Sequence, residues 1–201
     1  MIDLYYGPTA NGRRAAVILA ESGLAYRIIP VDFDAKPAAL LKLNPAGLIP
    51  VIVDANGPGG QPLVLAQSGA IILYVAEKTG RFLPSDPARR AAAFQWFAHA
   101  CSDISAASST WFMAGHDLPE KSDANLAFLE QRLVGFFRAC DGRLAERDYL
   151  ADELSVADFA LYPFFATRKA LLDRAGGFEN LPAWGERMAA RPGVKRGMAG
   201  Q

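Results

Sequence analysis

Two short stretches carry residue types whose spacing can do chemistry. In the first, Ile49-Pro50 opens the apolar run Val51-Ile52-Val53. Proline cannot donate to a ladder, so it belongs at the first residue of a strand or at an edge. A turn of this kind is also where a cis X–Pro bond is expected. A cis bond would turn the Ile49 N–H and C=O outward, ready to pair with an extended ligand. In the second stretch, Gln67-Ser68-Gly69 precedes Ala70-Ile71-Ile72-Leu73-Tyr74, a polar cap before a helix that Gly80 ends. The first N–H groups of that helix lack intrahelical partners and lie at the positive end of its dipole. With the Ser68 hydroxyl they make a site for a small carboxylate or phosphate.

These residues need a frame to hold them. Ile2 to Tyr6 reads as a strand closed by Gly7-Pro8. Thr9 and Asn11 are both N-cap candidates for a helix over 13–22, with Gly23 just past its end. Tyr26 to Asp32 is a second strand, which Pro30 places at an edge, and 37–43 is a short helix. Val51-Ile52-Val53 and Leu63-Val64-Leu65 are strands joined by a loop rich in turn residues. With the helix from Ser68, the order β-α-β-α-β-β-α over 1–81 is that of a thioredoxin-like α/β domain. A linker follows at 82–87, and after it the strand signals stop.

Residues 88–201 read as an all-α bundle. Phe94, Phe97, Cys101, Ile104, Ser108 and Trp111 step by three and four along one long helix; Leu126, Leu129, Leu133, Phe136, Cys140 and Leu144 do so along a second. Both cysteines fall on these stripes and are expected as buried thiols. His99 lies off its stripe and His116 in a loop, so both are expected at the surface. Leu154-Ser155-Val156-Ala157-Asp158-Phe159 spells a capping box, Ser155 with Asp158, and a hydrophobic staple, Leu154 on Phe159. A last helix is expected from Pro182 to Arg191, stopped by Pro192-Gly193.

Composition excludes several classes of function. The 201 residues are 51% hydrophobic and 21% charged, with 21 basic and 21 acidic side chains. A net charge of zero argues against nucleic acid and against a polybasic membrane anchor. Met1-Ile2-Asp3-Leu4 lacks the basic and apolar regions of a signal peptide, and no run has the length of a membrane span. Two distant cysteines form no Cys-x-x-Cys pair, and no metal-ligand cluster stands out. A cytoplasmic protein with no membrane or metal partner is the expectation.

The two opening stretches, in this order, resemble the glutathione-binding half of the glutathione S-transferase family, and the Ser155–Asp158 box resembles a hallmark of its helical half. Pro8-Thr9-Ala10-Asn11-Gly12 is similar to the turn of bacterial Ure2-like or nu-type members. The resemblance implies that glutathione is the co-substrate. Its cysteinyl part would pair with Ile49 before Pro50, and its γ-glutamyl end would sit at Gln67 and Ser68. Thr9 and Asn11 are then the catalytic candidates, with a tyrosine, Tyr5 or Tyr6, as rival. Leu48 stands where relatives often carry a basic residue for the glycyl carboxylate, and Gln67 where they usually carry Glu. Arg13 and Arg14 are possible electrostatic substitutes. His99, Asp103 and Trp111 are candidates for the second-substrate pocket, and Asp103 for reaching the glutathione of a neighbour in a homodimer.

A thiol of pKa near about 8.5 must fall to about 6.5 to be largely ionised at neutral pH, roughly 2.7 kcal/mol of thiolate stabilisation. One charge-assisted hydrogen bond contributes on the order of 1.5–3 kcal/mol and a helix N-terminus about 0.3–1 more. Thr9 or Asn11 at a helix start is therefore sufficient. Three functions follow: a detoxifying glutathione transferase acting on small apolar electrophiles; a glutathione-dependent disulfide reductase or peroxidase that uses no protein cysteine; and a non-catalytic binding or assembly module.

Overall fold

The alternation of short apolar strands with helices resolves into a four-stranded sheet in the computed structural model, which describes residues 1–33, 35 and 37–201. Strands β1 (Ile2–Tyr6), β2 (Tyr26–Pro30), β3 (Val51–Asp54) and β4 (Leu63–Ala66) lie in the order β2-β1-β3-β4. β1 runs parallel to β2 and antiparallel to β3, and β4 returns antiparallel on β3. Helices α1 (Ala10–Ser22), α2 (Ala38–Leu43) and α3 (Ser68–Thr79) complete a thioredoxin-like unit. β2, with its proline, forms one edge as expected. Gly23 and Gly80 end α1 and α3 in the left-handed conformation.

The chain divides into two compact units, 1–83 with 189–201, and 84–188. The second is helical: α4 (Pro87–Ala98), a π-helical stretch (His99–Ile104), α5 (Ser105–His116), α6 (Asp123–Arg143), α7 (Val156–Thr167), α8 (Lys169–Ala175) and α9 (Leu181–Ala190). Asp86 caps α4 by accepting from the Arg89 N–H at 2.9 Å. The buried set along these helices is Ala93, Ala100, Ile104, Ala107 and Ser108, so Ile104 and Ser108 of the expected stripe are in the core while its start is displaced by one position. Phe94, expected inward, is 43% exposed. On α6 the buried aromatic is Phe137 rather than Phe136, beside Leu133, Val134 and Cys140. Cys140 is the expected core thiol, and burial raises its pKa above the ordinary thiol value; Cys101 is only half-buried.

The capping box is in place at the start of α7. Asp158 is fully buried and accepts from the Ser155 N–H (3.0 Å), the Leu150 N–H (3.1 Å), the Trp184 indole N–H (2.9 Å) and the Ser155 hydroxyl (3.2 Å).

Pro192 does not stop the chain. It occupies the first turn of a further helix, α10 (Pro192–Ala199), where its missing N–H costs nothing. This helix lies against α1 within the first unit. Glu21 of α1 accepts from Arg191 at 2.7 Å and from the Val194 N–H at 3.1 Å. Gly197 lets the backbones meet, since a Cβ there would come 2.4 Å from the Val17 Cα. Gly197→Val is expected to lower unfolding free energy by about 1–3 kcal/mol, the usual cost of overpacking. An unchanged urea midpoint would remove this contact from the account.

Candidate functional site

Two helix N-termini of the first unit converge. Thr9 caps α1: its Oγ1 accepts from the Gly12 N–H at 3.0 Å, which leaves the hydroxyl hydrogen able to donate elsewhere. Gly12 is held to glycine, because a Cβ would fall 2.1 Å from the Gly7 carbonyl oxygen. Asn11 follows in the first turn, and its Oδ1 accepts from both Arg14 Nη1 (3.2 Å) and the Ser68 hydroxyl (3.1 Å). Two donors on one atom fix which end of the amide is oxygen, so the Nδ2 hydrogens remain as donors. Ser68 is the first residue of α3, 57 positions away in sequence.

Arg14, expected as an exposed compensating charge, is 1% exposed and bonded to Asn11. Arg13 is partly buried, and its Nε has no partner. The start of α1 is thus backed by a buried cation as well as by its dipole.

Ser68 is 7% exposed, with its hydroxyl inside the site. Gln67, directly before it, holds φ +72°, a conformation that side chains disfavour, and its side chain caps nothing. Backbone strain of this kind concentrates at binding sites. The first N–H groups of α3 therefore meet no capping side chain and stay open to an anion. The Ile49–Pro50 bond is cis, and among the described residues neither the N–H nor the C=O of Ile49 is hydrogen-bonded. Leu48 is 58% exposed, and its carbonyl accepts from Asn44 Nδ2 at 2.8 Å. It brings no charge, as its type implies.

The rival tyrosines, Tyr5 and Tyr6, both belong to β1. Tyr6 is buried, and its ring lies about a contact distance from where a Gly200 side chain would be. Tyr5 packs with Ile49 and Leu43 on the cluster of Val31, Leu40 and Val51.

In the helical unit, His99 is not the surface residue its position off the stripe implied. Its side chain is 16% exposed and sits between Asp103 (Nδ1 to Oδ2, 2.8 Å) and the Phe136 carbonyl (Nε2 to O, 3.1 Å), with Trp96 and Phe136 rings edge-on. Asp103, 45% exposed at its side chain, is that partner. Trp111 lies further along, on α5. His116 ends α5 instead of lying in a loop, and stacks on Phe112. Among the described residues no group of three His, Cys, Asp or Glu is placed to hold a metal, and no helix is long and apolar enough to cross a membrane.

Residues 10–78 match the family model "Glutathione S-transferase, N-terminal domain" and residues 102–198 match "Glutathione S-transferase, C-terminal domain". The disulfide-bond oxidoreductase YfcG of Escherichia coli (strain K12) is 34% identical over 199 residues, 96% of this chain and 92% of the relative. The chain belongs to the glutathione S-transferase family. Among solved structures of that family, a Pseudomonas putida glutathione transferase with one glutathione disulfide bound per subunit superposes with a TM-score of 0.89 at 30% identity. It covers 98% of this chain and 90% of its own. A Burkholderia graminis glutathione transferase with two glutathione molecules per subunit gives 0.88 at 31%, covering 98% and 87%. Arg14 was legible only as a charge beside a helix start; nothing local marks an arginine that will be buried under its own first turn.

Proposed function

We propose that this glutathione S-transferase family member reduces disulfides, with bound glutathione thiolate as the nucleophile. The observation that carries the reading is the Asn11–Ser68 hydrogen bond, which joins the starts of α1 and α3 into one anion-receptive site. The site brings together hydroxyl, amide and helix N–H donors of the first unit, and both cysteines of the chain belong to the helical unit. The names and bound glutathione species of YfcG and the two transferases support disulfide chemistry for this chain too.

In this reading the γ-glutamyl carboxylate takes the open N–H groups of α3 and the Ser68 hydroxyl, with Gln67 beside it. The cysteinyl backbone pairs with Ile49. The thiolate lies at the start of α1, receiving hydrogen bonds from Thr9 and from the Asn11 amide. It attacks a mixed disulfide, forming glutathione disulfide and releasing the other half as a thiolate, which takes a proton from water. A first glutathione thiolate generates the mixed disulfide from a symmetric substrate in the same way.

Turnover of hydroxyethyl disulfide with glutathione, without conjugation of chlorodinitrobenzene, is the expected result. The reverse pattern establishes the transferase reading, which the same thiolate serves. Inactivity in both assays, with no retention on immobilised glutathione, leaves a non-catalytic module.

Ser68→Ala is expected to weaken glutathione binding by about 1–3 kcal/mol, the cost of an unpaired charged partner. Because Ser68 bonds Asn11, the Ser68→Ala and Asn11→Ala losses are expected to fall short of adding in the double variant. Calorimetry showing full additivity would separate the two side chains functionally.

The protein is further inferred to be a homodimer. Phe94, Phe112, Met113 and Phe128 of the helical unit are each more than 40% exposed, more apolar surface than a solvated bundle favours. Light scattering at micromolar concentration is expected to give twice the chain mass; a monomer contradicts the inference.

A further inference from the structure

The two ends of the site in the first unit differ in what they offer a charged ligand. β3 begins at Val51, which pairs antiparallel with Ala66 of β4, so the residues that follow Ala66, Gln67 and Ser68, fall on the Pro50 side of Ile49. A glutathione held by its γ-glutamyl end at Ser68 and paired through its cysteinyl backbone with Ile49 therefore runs antiparallel to the chain. Its glycyl residue then comes opposite Leu48. From Asn44 to Pro50 the sequence carries no ionisable side chain. The turn also uses its polar groups internally. Asn44 donates from Nδ2 to the Leu48 carbonyl at 2.8 Å and accepts at Oδ1 from the Ala46 N–H at 3.3 Å, while its carbonyl accepts from the Gly47 N–H at 2.8 Å. Pro45 has no N–H to give. The Leu48 side chain is apolar and exposed. Lys42, in the last turn of α2, is the nearest cation in sequence, and it too is exposed; an ion pair made in water there adds little. An anion is thus met by the open N–H groups of α3, and by no cation at Leu48.

We propose that the site recognises a γ-glutamylcysteinyl thiol and is indifferent to the charge of its third residue, so that derivatives amidated, esterified or extended at the glycyl carboxyl group are bound as tightly as glutathione itself. The inference rests on the glutathione reading above and names the class of co-substrate that reading admits. A carboxylate beside Leu48 keeps its water, because no protein charge replaces it, and a neutral group in its place loses nothing. An apolar extension lies along the Leu48 side chain and removes apolar surface from water.

The test is calorimetric titration of the full chain, under reducing conditions, with glutathione, with glutathione amide (the glycyl carboxylate replaced by a carboxamide) and with the glycyl ethyl ester. The three dissociation constants are expected to agree within about threefold. Leu48→Arg, a change at an exposed side chain, is expected to bind glutathione more tightly than its amide by on the order of fivefold or more, since a guanidinium fork pairs with a carboxylate and not with a carboxamide. A larger preference of the wild type for glutathione over either derivative overturns the proposal and leaves the glutathione reading standing. A Leu48→Arg chain that distinguishes glutathione from its amide no better than wild type also overturns it, by moving the glycyl end away from residue 48. Binding of none of the three overturns the glutathione reading, and the proposal falls with it.

Discussion

Asp158→Ala is expected to destabilise the protein by roughly 3–5 kcal/mol, the range for removing one partner from a buried charged network. The carboxylate accepts four hydrogen bonds, from two backbone N–H groups, an indole and a hydroxyl. Alanine strands the Leu150, Ser155 and Trp184 donors where water does not reach, at about 1–3 kcal/mol each before relaxation. Urea unfolding at pH 7 checks it, and a loss below about 1 kcal/mol, typical of an exposed helix cap, would mean the network is not closed in solution.

The same carboxyl gives a pH signature. Burial pushes its pKa up to about 6, against the pull of the Trp184, Leu150 and Ser155 donors. A folded pKa above the unfolded one adds stability below about pH 4 that is lost as pH rises through about 6. The advantage of wild type over Asp158→Asn, which does not titrate, is therefore expected to be larger at pH 5 than at pH 7.

The second large effect concerns the nucleophile. Thr9→Val removes the hydroxyl while keeping its shape, and Asn11→Ala removes the amide that Arg14 and Ser68 orient. Losing one hydrogen bond of roughly 1.5–3 kcal/mol should slow turnover by about ten- to a hundredfold. It should also raise the pH at which bound glutathione ionises by about one to two units. Neither change alone abolishes activity, because the other donor, the helix N–H groups and the buried Arg14 remain. Thiolate absorbance against pH, for each variant and the double change, reads this directly. If all three titrate like wild type while Tyr5→Phe or Tyr6→Phe shifts the curve, the sulfur lies against a tyrosine.

Local chemistry was legible in the sequence wherever a residue type answers to one backbone demand. Gly23 and Gly80 end helices, Ser155 with Asp158 opens one, and Pro50 opens β3 after a cis bond, because each signal is complete within a few residues. What depends on distant partners was not legible. Pro192 is compatible with ending α9 or beginning α10, and Glu21, some 170 positions away, is what α10 docks on. Phe94 and His99 exchanged their expected environments because the buried face at the start of this helix runs through the small residues Ala93 and Ala100, one position off the stripe of large apolar side chains that the pattern followed. Thr9, Asn11, Gln67 and Ser68 were marked by type and position; that Asn11 bonds Ser68 only the fold determines.

The central claim is that glutathione alone supplies the reactive sulfur. The most direct measurement is glutathione-dependent reduction of hydroxyethyl disulfide by wild type and by the double variant Cys101→Ser, Cys140→Ala, compared side by side. The account predicts turnover by wild type and the same turnover, within the error of active concentration, by the cysteine-free chain. An inert wild type, or activity that disappears with the two cysteines while the fold is retained, would contradict it.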